Sequence, residues 1–155
     1  MELVEKIRET LCGYDESIRG IEIKRIPSTT KYVARCLVDV VGKPYFTKQY
    51  RLRNVKPHTI LLTENFFTLG ESKMTFIFIH ECTHAITPRV EKKCKSKYIR
   101  MDHSRLFYEN FYNLLCYAKK KTIITKSYDS IKDVMNADNY KDNIRNDRKL
   151  YKLTK

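Results

Sequence analysis

An almost uninterrupted apolar stretch at residues 74–86, ended by Pro88, constrains the fold more than any other feature of this sequence. The stretch leaves no polar face, and a helix that is apolar on all sides lies in the core of a protein. His80, Glu81 and His84 interrupt it. Burying two imidazoles and a carboxylate is costly unless a partner satisfies them. The chain is therefore expected to fold around this helix and to satisfy its polar residues.

The spacing of these polar residues indicates a metal site. Histidines four positions apart project from one face of a helix, so His80 and His84 can bind a single ion. Glu81 lies one step round the helix, where a carboxylate can act as general base towards a water activated by Zn²⁺. Cys82 is two positions from each histidine and is predicted to point away from them. The pattern predicts a catalytic zinc site, which needs a third protein ligand and one open position.

Three residues compete for the place of the third ligand. His103 lies four positions before Phe107 and begins the apolar stripe of a second predicted helix, so it is the preferred candidate. Glu109 would complete a His2Glu site, but its position two residues after Phe107 turns it away from the stripe. His58 precedes a predicted strand and fits a surface position better than a ligand position.

Helical periodicity predicts the α-helical part of the fold. An amphipathic helix opens the chain over residues 3–11, and a short one is predicted near residues 128–135. Ser72 is the predicted cap of the histidine-bearing helix, and Asp102 that of the next helix. The apolar stripe of that next helix consists of Phe107, Phe111, Leu114, Leu115 and Ala118.

β-Branched and aromatic residues predict the sheet. Strands are expected at residues 21–26, 32–41 and 45–52, arranged as an antiparallel meander. A fourth strand, residues 59–63, is apolar on both faces, and could line the cleft as an edge strand that pairs with an extended peptide. Residues 89–100 show no periodicity and are predicted to form a loop. Together with the helices, these strands predict an α+β fold.

Length and cysteine usage limit the class of protein. The 155 residues suffice for one domain, predicted over residues 1–125, with a basic extension over residues 126–155 that is partly helical or disordered. The five cysteines are an odd number without a Cys-x-x-Cys pair, which predicts free thiols in a reducing compartment. No apolar run reaches eighteen residues and no secretory signal opens the chain, so we expect a soluble intracellular protein without a membrane partner.

The positive charge is concentrated in two segments. Of the net charge of +13, residues 88–100 contribute +5 and residues 119–155 contribute +6. Such a field attracts polyanions, which makes DNA a candidate partner. The candidate contacts are the basic C-terminal tail and five residues near the motif, Arg89, Lys92, Lys93, Lys95 and Lys97. The alternative is a solvated surface that serves solubility alone.

The two histidine motifs together resemble a known family. His80-Glu81-x-x-His84, followed by His103-x-x-x-Phe107 in an aromatic helix, resembles the WLM and SprT-like (Spartan-type) zinc metallopeptidases. The downstream Leu114-Leu115-x-x-Ala118 is similar to compact WLM-like proteins of large DNA viruses, which would place the protein in the cytoplasm or nucleus of a host cell.

The resemblance carries expectations about fold and chemistry. It implies a zincin-like fold, in which a small antiparallel or mixed twisted sheet packs against the motif helix and a second helix carries the third ligand. It also implies Zn²⁺ held by His80, His84 and His103, with Glu81 as general base in peptide-bond hydrolysis. Several members of the family digest proteins crosslinked to DNA, which connects the basic segments to DNA repair.

Two functions are therefore carried forward. The first is a zinc metallopeptidase acting on a protein or peptide substrate, with Tyr98, Tyr108 and Tyr112 as equivalent candidates for stabilising the oxyanion. The alternative is a basic nucleic-acid-binding protein whose zinc site is structural or catalytically inactive. A structural zinc site has four protein ligands, whereas a catalytic one has three and an open position.

Overall fold

The computed structural model describes residues 1–41 and 50–138. Four helices and five strands form an α+β fold. Short 3₁₀ turns occur at Glu16–Gly20 and Phe66–Thr68. In chain order the elements are α1 (Glu2–Leu11), β1 (Glu22–Ile26), β2 (Ala34–Val41), β3 (Tyr50–Thr63), α2 (Glu71–Ile86), β4 (Arg89–Cys94), β5 (Lys97–Met101), α3 (Arg105–Lys120) and α4 (Ile131–Ala137).

The long strand β3 organises the sheet. Its C-terminal part pairs in parallel with β1, from Glu22↔Thr59 to Ile26↔Thr63. The antiparallel strand β2 pairs with it from Ala34↔Leu62 onwards, and the N-terminal part of β3 pairs with β4. The predicted antiparallel meander is therefore wrong, because in the described part of the chain β1 pairs directly with β3, in parallel, and not with its neighbour in sequence, β2. No short-range pattern fixes which strands pair when their partners are far apart in sequence.

Residues that we expected to form two strands belong to one. Residues 50–63 are continuous in β3, and residues 45–49 of the predicted third strand lie outside the described residues. In the sequence, the mostly polar segment 53–58, which contains Pro57, separates the two predicted strands. Proline in a sheet is found mainly at edges and bulges, and a register shift between Leu37 and Val38 of β2 lies opposite Pro57.

The edge of the sheet is not where the sequence placed it. Residues 59–63 have β1 as one partner and β2 as the other, so they offer no free edge to a peptide. Among the described strands, β2 pairs with β3 alone. β1 and β5 likewise have one partner each, so β2 is one of three described strands with an unpaired edge.

Residues 89–100 form a hairpin where we predicted a loop. β4 and β5 pair from Val90↔Met101 to Cys94↔Lys97, and a two-residue turn joins them. Lys95 has a φ of 59°, the left-handed conformation that such tight turns require and that glycine or asparagine usually supplies. A lysine there hides the turn signal from the sequence. Val90 and Met101 are buried together against Leu52, which provides the hairpin with its own small core.

The predicted burial of the histidine-bearing helix is confirmed. Five apolar residues of α2 are buried in the main core, which are Met74, Phe78, Ile79, Cys82 and Ala85. All five members of the predicted stripe of α3 are buried in the same core. Both predicted caps are wrong. Gly70 precedes α2 without a side-chain cap, and the hydroxyl of Ser104 accepts from the N–H of Phe107 at the start of α3. Asp102 forms an ion pair with Arg100 instead.

The C-terminal part of the described chain also packs into this core. Val134 and Met135 of α4 are buried against the main cluster, and Ile123 and Ile131 pack on it. Part of the segment expected as an extension thus contributes to the fold, while residues 139–155 of that segment lie outside the described residues. All five cysteines are free. None of the helices described here is long and apolar enough to cross a membrane.

Candidate metal centre

Three histidines from two parts of the chain converge at one point. His80 and His84 lie one turn apart on α2, and His103 lies in the turn that leads into α3. The Nε2 atom of His80 is 3.1 Å from Nε2 of His84 and 3.1 Å from Nε2 of His103. Their ligand atoms all lie within 4.8 Å of one another. This group could hold a metal ion.

Aromatic side chains surround the three histidines. Phe107 stacks on His84 with ring centroids 4.4 Å apart, and Phe111 contacts His80 edge-on at 5.3 Å. Nitrogen atoms that face one another in an apolar setting need a cation or a proton between them. A set of three imidazoles matches the donors that zinc takes in catalytic sites, so these residues fit the ion.

The pKa values of two of the three histidines favour the neutral imidazole that ligates metals, whereas the pKa of His80 is shifted the other way. Burial, together with the charge of His80, lowers the pKa of His103 to about 4 and the pKa of His84 well below its ordinary value. Burial also acts to lower the pKa of His80, but the hydrogen bond to Asp138 and the charge of Glu81 outweigh it and raise that pKa. Neutral imidazoles are the form that ligates metals.

Glu81 lies beside the cluster and is fixed to the sheet. Its side chain is nearly buried, with the residue 7% exposed, and it accepts a hydrogen bond from the backbone N–H of Cys36 in β2. Burial raises the pKa of the Glu81 carboxyl, although His80 and the Cys36 N–H act in the opposite direction. A carboxyl with a raised pKa is a stronger base than an unperturbed one, which suits a general base.

The competing ligand candidates lie elsewhere. Glu109 is outside the cluster and acts electrostatically on Tyr14. His58 is exposed, and its Nδ1 atom is 2.9 Å from the hydroxyl of Thr59. Cys82 is fully buried in the main core. In the described part of the chain, none of these three joins the histidines.

A carboxylate that sequence reasoning missed holds the first histidine. The Nδ1–H of His80 donates to Asp138 at 3.0 Å, and the hydroxyl of Tyr108 donates to the other oxygen of Asp138, also at 3.0 Å. The Asp138 side chain is 8% exposed. Asp138 follows α4, so only the packing of α4 on α3 brings it to the histidine. No motif marks it, although ligating histidines regularly donate to a carboxylate.

A cleft of about 220 Å³ opens onto the histidines and Glu81. β2 contributes Ala34, Arg35, Cys36 and Val38 to its walls, and the β4–β5 hairpin contributes Arg89 and Arg100. Because the Cys36 N–H donates to Glu81, the edge of β2 that is not paired with β3 faces α2.

The tyrosines proposed for the oxyanion do not line this cleft. Tyr108 is buried and hydrogen-bonded to Asp138. The guanidinium of Arg51 lies over the ring of Tyr98, 3.7 Å from its centroid. Tyr112 packs partly against the main core. Within the described residues, the arginines of the cleft are better placed than these tyrosines to meet negative charge.

The five basic residues assigned to DNA fall into two groups. Lys93, Lys95 and Lys97 are exposed on the hairpin, and Lys92 is half-buried on β4. Arg89 lines the cleft at the other end of β4. The hairpin lysines therefore share one small surface, whereas Arg89 belongs to the metal centre.

Comparisons with protein-family models, with curated proteins and with solved structures find no match to this chain.

Proposed function

We propose that this protein is a zinc-dependent peptidase that uses Glu81 as its general base. The observation that carries the proposal is the convergence of three histidine Nε2 atoms beside a buried glutamate at the floor of a cleft. The His80-Glu81-x-x-His84 spacing and its resemblance to the WLM and SprT-like metallopeptidases support the same chemistry.

Different residues of the site would have different roles in peptide hydrolysis. A zinc ion held by His80, His84 and His103 would supply polarisation of the scissile carbonyl and would lower the pKa of a water molecule. Glu81 takes a proton from the attacking water and passes it to the leaving amine, which is general base and then general acid catalysis. The free edge of β2 presents backbone groups with which an extended peptide can pair, and this fixes the scissile bond over the histidines.

The coordination set disfavours a purely structural role for the metal. Structural zinc sites are closed by four protein ligands. The described residues provide three at this point, and the group opens onto a cleft. A catalytic site has this composition, with the last position left for water and substrate.

A second candidate role is binding of DNA, which would bring DNA-associated or DNA-crosslinked proteins to the cleft. The exposed lysines of the hairpin, Lys93, Lys95 and Lys97, favour it, since β5 leads directly to His103. Lysines contact phosphates without reading base sequence, so such binding would depend on salt and little on sequence.

The test of the peptidase proposal is hydrolysis that depends on the metal. Purified full-length protein, loaded with Zn²⁺ and quantified for metal, is incubated with a denatured protein, and new amino termini are identified by mass spectrometry. We expect cleavage that a chelator abolishes and that added Zn²⁺ restores. A fully metal-loaded protein that cleaves neither denatured protein nor a peptide library would overturn the proposal.

A further inference from the structure

The cleft above the histidines carries an excess of positive charge. Arg35 on β2, Arg89 on β4 and Arg100 on β5 all line it, so the arginines come from three different strands. The charges of Arg89 and Arg100 act on His84, whereas the charge of Arg35 acts on Glu81. The arginines therefore flank the candidate reaction centre on both of its strand-built walls.

The two carboxylates whose charges act on Arg89 are Asp102 and Glu91, and both form ion pairs with other arginines. Asp102 pairs with Arg100, with 2.7 Å between Nε and Oδ1. Glu91 pairs with both Arg51 and Arg53. Neither carboxylate is within ion-pair distance of Arg89.

Among the described residues, two of the cleft arginines have no carboxylate within ion-pair distance. Over residues 1–41 and 50–138, Arg89 forms no ion pair, and neither does Arg35, whose guanidinium lies 5.7 Å from the ring centroid of Tyr32.

The position of Arg89 is costly for a residue without a counter-ion. The side chain is half-buried, and burial together with the like charge of Arg100 lowers its pKa. Arginine stays protonated in proteins, so Arg89 keeps its charge, and the partial burial of that charge costs free energy. Partly desolvated charges in a cleft are a frequent mark of ligand sites. An anion entering the cleft would relieve this cost.

We propose that Arg89, assisted by Arg35, binds a carboxylate of the peptide substrate next to the scissile bond, so that the enzyme prefers acidic peptides. This inference rests on the proposed peptidase function and specifies its substrate class. A guanidinium binds a carboxylate through two parallel N–H donors, which fixes orientation as well as adding affinity. The carboxylate has two possible sources, an aspartate or glutamate side chain and the α-carboxylate of the peptide's C-terminus.

The location of Arg89 favours a peptide carboxylate over a DNA phosphate. Arg89 lines a cleft of about 220 Å³ together with the histidines and Glu81, where a side-chain or terminal carboxylate of a peptide can reach it. The phosphates of duplex DNA lie on the outside of a broad rod, which suits the exposed lysines at the hairpin tip better than a half-buried guanidinium. Competition by DNA is therefore included as an outcome of the test.

The test measures binding separately from catalysis. Zinc-loaded Glu81→Gln protein, which binds without cleaving, is titrated with four fluorescent peptides of the same length. They contain either glutamate or glutamine beside the central bond, and each has a free or an amidated C-terminus. We expect the preferred carboxylate to raise affinity roughly tenfold or more, as hydrogen bonds to charged groups do. The comparison of glutamate with glutamine peptides tests the side-chain carboxylate. The comparison of free with amidated C-termini tests the α-carboxylate.

Charge variants then locate the site. Arg89→Gln and Arg35→Gln are each made in the Glu81→Gln protein. Both variants should reduce the ratio of acidic to neutral peptide affinity, and Arg89→Gln should reduce it to nearly one. Lys31→Gln is the control, because it removes one exposed charge from the segment before β2, outside the cleft. It should keep the ratio. Circular dichroism and zinc content of each variant establish that the fold and the centre are intact, and the Arg35 variant tests the site if Arg89→Gln does not fold.

Several outcomes would overturn the inference. The inference would be wrong if all four peptides bound with equal affinity. It would also be wrong if the ratio of acidic to neutral peptide affinity stayed the same in both arginine variants. Displacement of the acidic peptide by duplex DNA, lost in Arg89→Gln, would assign Arg89 to nucleic acid instead. Cleavage of the neutral peptides by wild-type protein as fast as the acidic ones would leave the peptidase proposal standing and reject the preference. Carboxylate-dependent binding without any cleavage would reject the peptidase and keep the anion site.

Discussion

The carboxylate of Asp138 accepts a hydrogen bond from Nδ1 of His80, although 58 residues separate the two along the chain. A carboxylate oxygen only accepts, so Nδ1 carries the proton and Nε2 keeps the lone pair that a metal needs. Tyr108 donates to the other oxygen and holds the carboxylate in place. The residue that follows the short helix α4 therefore fixes the tautomer and the orientation of one histidine of the candidate metal centre.

We expect Asp138→Asn to weaken Zn²⁺ binding by roughly 10- to 100-fold, the effect typical of losing the outer partner of a ligating histidine. The amide can turn its NH₂ group towards Nδ1, which would place the imidazole proton on Nε2. Competition with a metal-binding dye measures the affinity of the purified protein.

Two further variants separate this effect from general damage to the fold. Asp129→Asn removes an exposed carboxylate ahead of α4 and should leave the zinc affinity unchanged. Tyr108→Phe keeps the carboxylate but removes its support, so a smaller loss is expected. An Asp138→Asn protein with wild-type affinity for zinc would show that His80 needs no such partner.

The parts of the site that local sequence could predict are those governed by helix periodicity. The i, i+4 spacing places His80 and His84 on one face whatever the rest of the fold does. His103 was recognised because it begins the stripe that Phe107 and Phe111 continue. Burial of α2 followed from its composition, since a helix without a polar face has to lie in the core.

The parts that local sequence could not predict depend on contacts between distant segments. Strand direction and register are set by tertiary pairing, so neither the parallel β1–β3 pair nor the free edge of β2 was visible. The β4–β5 hairpin could not be predicted, because its strands are short and rich in lysine, so apolar and polar residues do not alternate clearly. Its turn also has a lysine where glycine or asparagine is usual. Asp138 and Arg89 show the same limit, because each reaches the site only through packing of its own element.

Removal of His103 tests the ligand set directly. We expect His103→Ala to reduce zinc affinity strongly and to abolish most of the increase in melting temperature that Zn²⁺ produces, because a ligand stabilises the fold only as far as it binds. Differential scanning fluorimetry with and without Zn²⁺ provides the measurement. Glu109→Ala is the matched control, since Glu109 lies on the same helix outside the histidine cluster. Loss of binding in the Glu109 variant alone would reverse the assignment.

Glu81→Gln should separate metal binding from catalysis. Glutamine has nearly the same shape and can still accept the hydrogen bond from the Cys36 N–H, so zinc content and melting temperature should stay near those of the wild type. Without a base, the rate of peptide hydrolysis should fall by roughly 100-fold or more. Metal analysis and cleavage assays on the same preparation make the comparison. Unchanged hydrolysis in the glutamine variant would remove Glu81 from the mechanism.

The exposed lysines of the β4–β5 hairpin make a quantitative prediction about DNA. Each phosphate that a lysine neutralises releases counter-ions, so the logarithm of the binding constant should fall linearly with the logarithm of salt concentration, by about 0.9 per phosphate on duplex DNA. Replacing Lys93, Lys95 and Lys97 with alanine should therefore weaken binding and reduce the slope by about 0.9 for each phosphate that is no longer neutralised. Fluorescence anisotropy over a series of salt concentrations measures both quantities.

A charge-matched control decides whether the hairpin or the overall charge of the protein is responsible. Replacing Lys6, Lys24 and Lys31 with alanine removes the same net charge from α1, β1 and the segment before β2. If the hairpin contacts phosphates directly, only its own variant lowers the slope, because distant charges are screened beyond about 10 Å at 0.1 M salt. Equal changes in the two variants would mean that the field of the whole molecule attracts DNA. If the wild type does not bind duplex DNA near physiological salt, the lysines serve solubility and the proposed peptidase would act on free protein.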